Sequence, residues 1–189
     1  MLVLLKSLVQ PHLDYCSQLW SPSSQSQVNL LEVVQRNLIS RIRGQGLVNL
    51  SYWEKLQHLH LYSQERRRER YQMIYIWKVS QSLVSGYNLP MSDVYSRSGR
   101  KVILPPLNRQ GSIPAAVRKV KENSLAVKGA KLFNLLPTSL RNANHHDLPM
   151  WKNNLDLFLC SIPDQPTTQG LTRAAATNNL LDQIPTMEV

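Results

Sequence analysis

SQERRRERYQMIYIWKVSQSLVSG, residues 63–86, carries the clearest helix signal in the chain and its densest run of arginines. Ser63 stands where an N-cap belongs, its hydroxyl able to accept from first-turn amides, and Gly86 stands where such a helix would stop. Between them Met73, Ile76, Trp77, Leu83 and Val84 recur at helical spacing, so the stretch predicts a helix from about Gln64 to Val84 with one apolar side. Arg66, Arg67, Arg68 and Arg70 fall in its first two turns, where the helix dipole disfavours cations. Two readings of that cost stand side by side. In one the arginines pair with Glu65 and Glu69, an i,i+3 neighbour such as Glu65 and Arg68 being worth roughly a few tenths of a kcal/mol. In the other they act with the orphan amides of the helix start to grip a phosphate backbone.

Upstream, Ser51 with Glu54 three residues later is a capping box, opening a short helix with Trp53, Leu56 and Leu59. Ser26 is read as the cap of a helix to about Arg43, with an apolar stripe of Leu31, Val34, Leu38 and Ile42 and a stop at Gly44 and Gly46. Arg36, Arg41 and Arg43 lie opposite that stripe as ordinary surface. Residues 2–9 read as a short apolar core helix ended by Pro11, and 12–20 as a second buried helix in which Cys16 is a structural thiol. No polar cap precedes the first helix. It is therefore expected to present an apolar surface of Leu2, Leu5, Leu8 and Val9 whose packing partner lies upstream.

Downstream, Pro90 closes the helical half and the texture changes. Ser98-Gly99 reads as a turn, Val102 to Leu104 as a short strand, and Pro105, Pro106 and Pro114 forbid a long helix. Val127 to Leu136 and Leu148 to Cys160 return to helical spacing, the latter through Trp151, Leu155, Phe158 and Leu159. Beyond Pro163 the chain is polar apart from a short apolar patch at Leu180 and Leu181, and reads as disordered or dependent on a partner. The expected fold is mainly α: a single domain of about five to seven helices, with a small irregular or β-hairpin insert near residues 94–121 and a loose C-terminal tail. Its segments would be a helical 1–90, a basic linker or hairpin 91–121, a helical 122–162 and the tail 163–189.

The formal charge of +10 on 189 residues, with a pI near 9.9, exceeds what solubility asks and points to a polyanionic partner. From Arg97 to Arg141 ten cations face a single acid, Glu122, which concentrates the excess in one segment. A merely solvated face mixes both signs, so this one-sidedness favours phosphate. A membrane surface fits less well, because the segment is broken by prolines where an amphipathic helix would be needed. The apolar start holds Lys6 in its middle and runs into Gln10-Pro11-His12 rather than a small-residue cleavage site, unlike a secretory signal. Cys16 and Cys160 are too few for a disulfide framework or a four-cysteine zinc site, and a nuclear or cytoplasmic setting is expected rather than a secreted one.

Catalytic chemistry finds little support. Nucleotidyl transfer and phosphodiester hydrolysis need carboxylates converging on metal ions, whereas Asp14, Asp93, Asp147, Asp156, Asp164 and Asp182 are scattered, none beside another acid. No Tyr-x-Asp-Asp sequence, phosphate-cradling glycine loop, Gly-x-Ser-x-Gly elbow or His-Glu-x-x-His helix occurs. His58 with His60, and His145 with His146, lack companions at ligand spacing, so no metal and no cofactor is expected.

One resemblance draws these pieces together. KSLVQPHLDYCSQLWSP (6–22), followed at matching distance by Leu30-Leu31-Glu32 and Gln35-Arg36, resembles the segment after the polymerase palm in jockey-like non-LTR retrotransposon reverse transcriptases. LSYWEKL (50–56), LYSQERRR (61–68), NSL (123–125), VKGAKLFN (127–134) with Leu136-Pro137, and LRN (140–142) are similar to that family in the same order, as are Ile162-Pro163-Asp164 and NLLD (179–182). The chain departs from the family pattern at Gln10, usually basic there, and at Ala130, often proline.

The resemblance implies an RNA-directed DNA polymerase as parent, with its catalytic aspartates and endonuclease upstream, so that no catalytic residue falls on this chain. The expectation is a non-catalytic C-terminal piece that binds RNA or an RNA–DNA hybrid through its backbone, without sequence preference, beside the polymerase domain it lacks. Arg66, Arg67, Arg68, Arg70, Arg97, Arg100, Lys101, Arg118, Lys119, Lys121, Lys128 and Lys131 would carry the contact. The alternatives are a packing segment for that absent domain and an inert translated relic.

Overall fold

In the computed structural model the described residues are 2–22, 24–42, 44, 46–85, 92–97, 99–104, 114–143, 147–166 and 178–187. Gly86, Pro90, Pro105, Pro106, Arg43, Arg109, His145 and His146 lie outside them. The chain is mainly helical with one antiparallel hairpin. In order it forms α1 (Leu2–Leu4), a π-turn (Leu5–Val9), α2 (Gln10–Asp14), α3 (Ser17–Trp20), α4 (Gln25–Ser40), α5 (Tyr52–His58) and α6 (Gln64–Ser80). There follow β1 (Ser92–Tyr95), β2 (Lys101–Leu104), α7 (Ala115–Glu122), a second π-turn (Leu125–Gly129), α8 (Ala130–Asn134), α9 (Thr138–Arg141), α10 (Leu148–Cys160) and α11 (Leu180–Met187). They group into two compact units, residues 1–68 with 163–187, and residues 69–162, the division falling inside α6.

The first unit is built on Leu5, Ile39, Leu56 and Leu61, with Leu2, Val9, Leu38, Ile42, Tyr52 and Leu59 packed around them. Pro11 does not end the first helix as expected. The wider π-turn lets the Gln10 amide bond to the Leu5 carbonyl, and Pro11, with no N–H to place, sits in the first turn of α2 where none is needed. Of the apolar surface expected on this segment Leu5 is fully buried, Leu2 and Val9 are half-buried against it, and Leu8 is exposed together with Val3 and Leu4. The buried helix expected over 12–20 is instead broken at Cys16, which adopts a left-handed backbone (φ 49°) and is exposed, as are Tyr15, Leu19 and Trp20.

Helix α4 starts two residues earlier than expected, because Ser24 and not Ser26 caps it, accepting from the Gln27 amide. Its inward face also differs: Glu32, Gln35 and Ile39 are buried, while Val34 is exposed. The capping box at Ser51 and Glu54 is present as read, holding α5 so that Leu56 enters the core. Of the stretch read as a loose tail, residues 163–166 and 178–187 are described. There α11 buries Leu180 and Ile184, one helical turn apart, within the first unit.

In the second unit, α6 supplies Met73, Ile74, Ile76 and Trp77 to a core shared with Leu132, Phe133, Leu136, Trp151, Leu155 and Leu159. The Trp77 and Trp151 rings stack at 4.7 Å and 21°, and the Trp151 indole N–H donates to the Leu140 carbonyl at 2.9 Å, so that Trp151 is buried with its donor satisfied. Gly129 lies so close to α6 that a Cβ would stand 2.7 Å from Ile76 Cγ1. Helix α6 stops at Ser80 rather than at Val84. Ser82 takes the left-handed conformation (φ 56°), and the Ser82 and Leu83 amides turn back to the Val79 and Lys78 carbonyls, closing the end without a glycine.

The hairpin pairs Ser92 with Leu104, Asp93 with Ile103, Val94 with Val102 and Tyr95 with Lys101. Two asparagine side chains take the place of a third strand along β2. Asn134 donates to the Ile103 carbonyl and accepts from its amide, both at 2.9 Å, and Asn142 accepts from the Lys101 amide and donates to the Gly99 carbonyl, also at 2.9 Å. The backbone groups of an edge strand are thus satisfied by α8 and by the end of α9, which fixes the hairpin to its unit.

Candidate nucleic-acid interface

The arginines at the start of α6 are structural side chains within the folded chain. Arg66 is fully buried, and its Nη2 donates to the Pro163 carbonyl at 3.0 Å and to Gln183 Oε1 at 2.5 Å. Arg67 makes a two-pronged contact with Asp14, its Nε and Nη2 at 2.9 and 2.7 Å from the carboxylate. Arg68 lies over the Trp20 ring at 3.9 Å and donates to the Leu13 carbonyl at 2.9 Å, and burial pulls its guanidinium down to about 10. Arg70, in the second unit, holds Asp156 through two bonds of 2.5 and 2.7 Å.

The helix start is equally occupied. Glu32 Oε2 accepts from the Gln64 amide at 2.7 Å, Asp164 Oδ2 from the Ser63 amide at 2.7 Å, and Ser63 Oγ from the Arg66 amide at 3.2 Å. Carboxylates of the chain itself therefore sit where a bound phosphate would have to sit. The expectation that Arg66, Arg67, Arg68 and Arg70 join free amides in gripping a backbone has to be corrected on this point: the three amides have protein partners, and Arg66 and Arg68 have almost no exposed surface. Arg67 and Arg70 reach acids far away in sequence, not only the neighbouring Glu65 and Glu69 considered from the sequence.

Glu32 belongs to a buried polar network that the sequence reading did not single out. The Tyr52 hydroxyl donates to Glu32 Oε1 at 2.5 Å, Gln35 Nε2 donates to the Tyr62 carbonyl at 3.0 Å, and Gln64 Nε2 donates to Gln35 Oε1. Asn178 ties in the chain's last helix, donating to Ser63 Oγ at 3.0 Å and to Asp164 Oδ1 at 2.7 Å. Burial pushes the Glu32 carboxyl up to about 7, against the opposing bonds from Tyr52 and the Gln64 amide. The same burial, with the neighbouring Glu32 charge, pushes the Tyr52 phenol upward. The available signal was the Leu30-Leu31-Glu32-x-x-Gln35-Arg36 motif itself, which places two polar side chains at helical spacing on one face.

The cations of residues 97–131 divide differently. Arg97 and Arg100 are exposed on the hairpin turn, Arg118 and Lys119 on α7, and Lys131 on α8, and none of these five side-chain cations has an ion-pair or hydrogen-bond partner among the described residues. Lys121 is half-buried. Lys101 is buried: it is 8% exposed and its ammonium donates to the Ser80 carbonyl at 3.2 Å. Lys128 is half-buried, 3.8 Å from Glu69 Oε1. Arg141 is buried at the end of α9.

The turn that carries Arg97 and Arg100 is closed by the Gly99 amide to the Ser96 carbonyl and the Ser96 amide to the Arg100 carbonyl, both at 2.9 Å. Gly99 supplies the positive φ (71°) that this turn needs. Among the described residues no three His, Cys, Asp or Glu side chains stand together as a metal site, and no helix is long and apolar enough to cross a membrane. No protein-family model, curated protein or solved structure matches the chain.

Proposed function

We propose that this chain is a non-catalytic nucleic-acid-binding module of the kind that follows the palm in jockey-like non-LTR reverse transcriptases, contacting the RNA or RNA–DNA backbone without reading sequence. The observation that carries the reading is the set of five exposed cations, Arg97, Arg100, Arg118, Lys119 and Lys131, in a single compact unit and without partners among the described residues. Among the described residues no internal contact uses their charged groups. The ordered motifs from Lys6 to Asp182 that resemble that family supply the parent enzyme.

The test is binding of the purified chain to mixed-sequence RNA, DNA and hybrid duplexes over a range of salt. Each phosphate contact releases condensed counterions, giving a log–log slope of roughly −0.7 to −0.9 per contact, so three to five contacts predict about −2 to −4.5. Affinity that ignores salt, or that separates unrelated sequences strongly, contradicts the reading. A second reading, a segment that packs on another protein domain, draws on the exposed Val3, Leu4, Leu8 and Leu19 of the first unit. That reading expects a folded chain with no affinity for any of the three nucleic acids.

A further inference from the structure

Tyr95 is the last residue of β1, and it is 66% exposed although a strand tyrosine ordinarily packs its ring. Arg97 follows it by two residues and Arg100 returns on the other side of the turn, both exposed. The ring stands on a fixed base. The turn is closed by its own backbone bonds, and the Asn142 side chain clamps it by accepting from Lys101 and donating to Gly99.

The direction of the backbone follows from the register. Ile103 turns both its amide and its carbonyl to Asn134, away from β1, so by the alternation of an antiparallel ladder Val102 and Leu104 face β1 while Asp93 and Tyr95 face outward. The Tyr95 N–H and C=O therefore lie on the open edge beside the ring, with no partner among the described residues. Trp20, an exposed aromatic of the first unit, is less available: Arg68 lies over its ring, and its indole N–H donates to the Tyr15 carbonyl at 2.5 Å.

We propose that Tyr95 is a base-stacking platform for single-stranded nucleic acid, with Arg97 and Arg100 holding the phosphates on either side of the stacked base. A duplex hides its base faces and offers such a ring nothing, whereas every unpaired base presents a π-face to it. This rests on the nucleic-acid reading above and adds to it a preference for unpaired strands.

The experiment measures binding of the full chain to a labelled single-stranded RNA, a single-stranded DNA of the same sequence, and the corresponding DNA duplex, in wild type and in Tyr95→Ala, Tyr95→Phe and Arg97→Ala/Arg100→Ala. Loss of one stacked base is expected to weaken single-strand binding about tenfold in Tyr95→Ala, with duplex binding and salt slope unchanged. Tyr95→Phe keeps the ring and is expected to keep the affinity. The double arginine variant is expected to flatten the single-strand slope by about 1.4, close to two contacts. Equal losses on RNA and DNA mean that the base is read through its face, and a loss on RNA alone adds the ribose hydroxyl to the contact. A Tyr95→Ala protein that is folded by circular dichroism and binds single strands as well as wild type overturns the platform while leaving backbone binding in place. Absence of wild-type binding to all three probes overturns both.

Discussion

Residues 66–70 and residues 97–131 are the two basic regions of this chain, and their cations meet opposite fates. In the first, four arginines are held by Asp14, Asp156, the Trp20 face and backbone carbonyls. In the second, five cations among the described residues stand in solvent. The run of arginines is the denser signal in sequence, yet it is the more buried in space. Density of charge along the chain thus says little about availability, because the acid that neutralises a side chain can arrive from anywhere. Arg67 finds its partner 53 residues upstream and Arg70 finds its partner 86 residues downstream. A planar guanidinium suits such interior work, since it spreads its charge and reaches several acceptors at once.

The comparison breaks most sharply on stability. Arg67→Ala leaves the partly buried Asp14 carboxylate without its two-pronged donor and is expected to cost about 3 kcal/mol in urea or thermal unfolding. The salt slope of nucleic-acid binding should not move. A loss under about 1 kcal/mol would place Arg67 among ordinary surface pairs and return it to the pool of free cations.

Glu32 sharpens the same contrast, because its carboxylate occupies the helix start that a phosphate would need. Its folded value of about 7 lies above the ordinary carboxyl value of 4.5. A raised value means stability fully present below about pH 4.5 and lost as pH rises to about 7, by about 3 kcal/mol for a shift of this size. The charged and titratable groups facing it are Tyr52, Asp164 and Arg36. Glu32→Gln cannot ionise and keeps an acceptor for the Gln64 amide, so it should flatten this pH dependence and be the more stable protein at pH 8. Stability that rises for the wild type between pH 5 and 7.5, with no difference in Glu32→Gln, would show a carboxylate that is charged throughout.

Much of the architecture was legible because local chemistry decides it. The Ser51 and Glu54 capping box, the helix over 148–160 with Trp151, Leu155 and Leu159 inward, and a turn at Gly99 each depend on residues within a few positions of one another. What escaped the sequence depends on distant groups. Glu32 and Gln35 turn the inner face of α4 because Tyr52, Tyr62 and Gln64 wait for them there. Asn178 secures the last helix through Ser63 and Asp164, neither within ten residues of it in sequence. At the candidate interface Arg97, Arg100, Arg118, Lys119 and Lys131 were legible as exposed cations, whereas Lys101 was not, since nothing in its neighbours reveals the Ser80 carbonyl that its ammonium meets.

Gly129 connects the core to the basic region, as the π-turn and α8 that carry Lys128 and Lys131 approach α6 through it. Gly129→Ala places a methyl group 2.7 Å from Ile76 Cγ1 and should cost about 1–3 kcal/mol by overpacking. Ile76→Val in the same chain removes the δ-methyl, which a Cβ at 129 would also meet at 3.0 Å. Partial recovery in the double variant would confirm that this contact sets the approach, while purely additive losses in unfolding experiments would not.

The smallest effect on stability should come from the cations themselves. Arg118 and Lys119 are exposed on α7, a helix with no buried residue, so Arg118→Ala/Lys119→Ala removes no packing and leaves no carboxylate unpaired among the described residues. Alanine is also a strong helix former, and unfolding should shift by less than about 0.5 kcal/mol. Binding should respond where stability does not. Two lost phosphate contacts flatten the log–log salt slope by about 1.4 to 1.8, and the deficit in affinity should shrink as salt rises, because the term removed is the one that salt screens. Arg67→Ala is expected to show the reverse pairing, a large change in unfolding and none in slope. If both variants flattened the slope equally, the distinction between a buried and an exposed basic region would fail as a guide to what touches nucleic acid. If neither did, contact with phosphate would have to lie with Arg97, Arg100 and Lys131, the remaining exposed cations among the described residues of the unit.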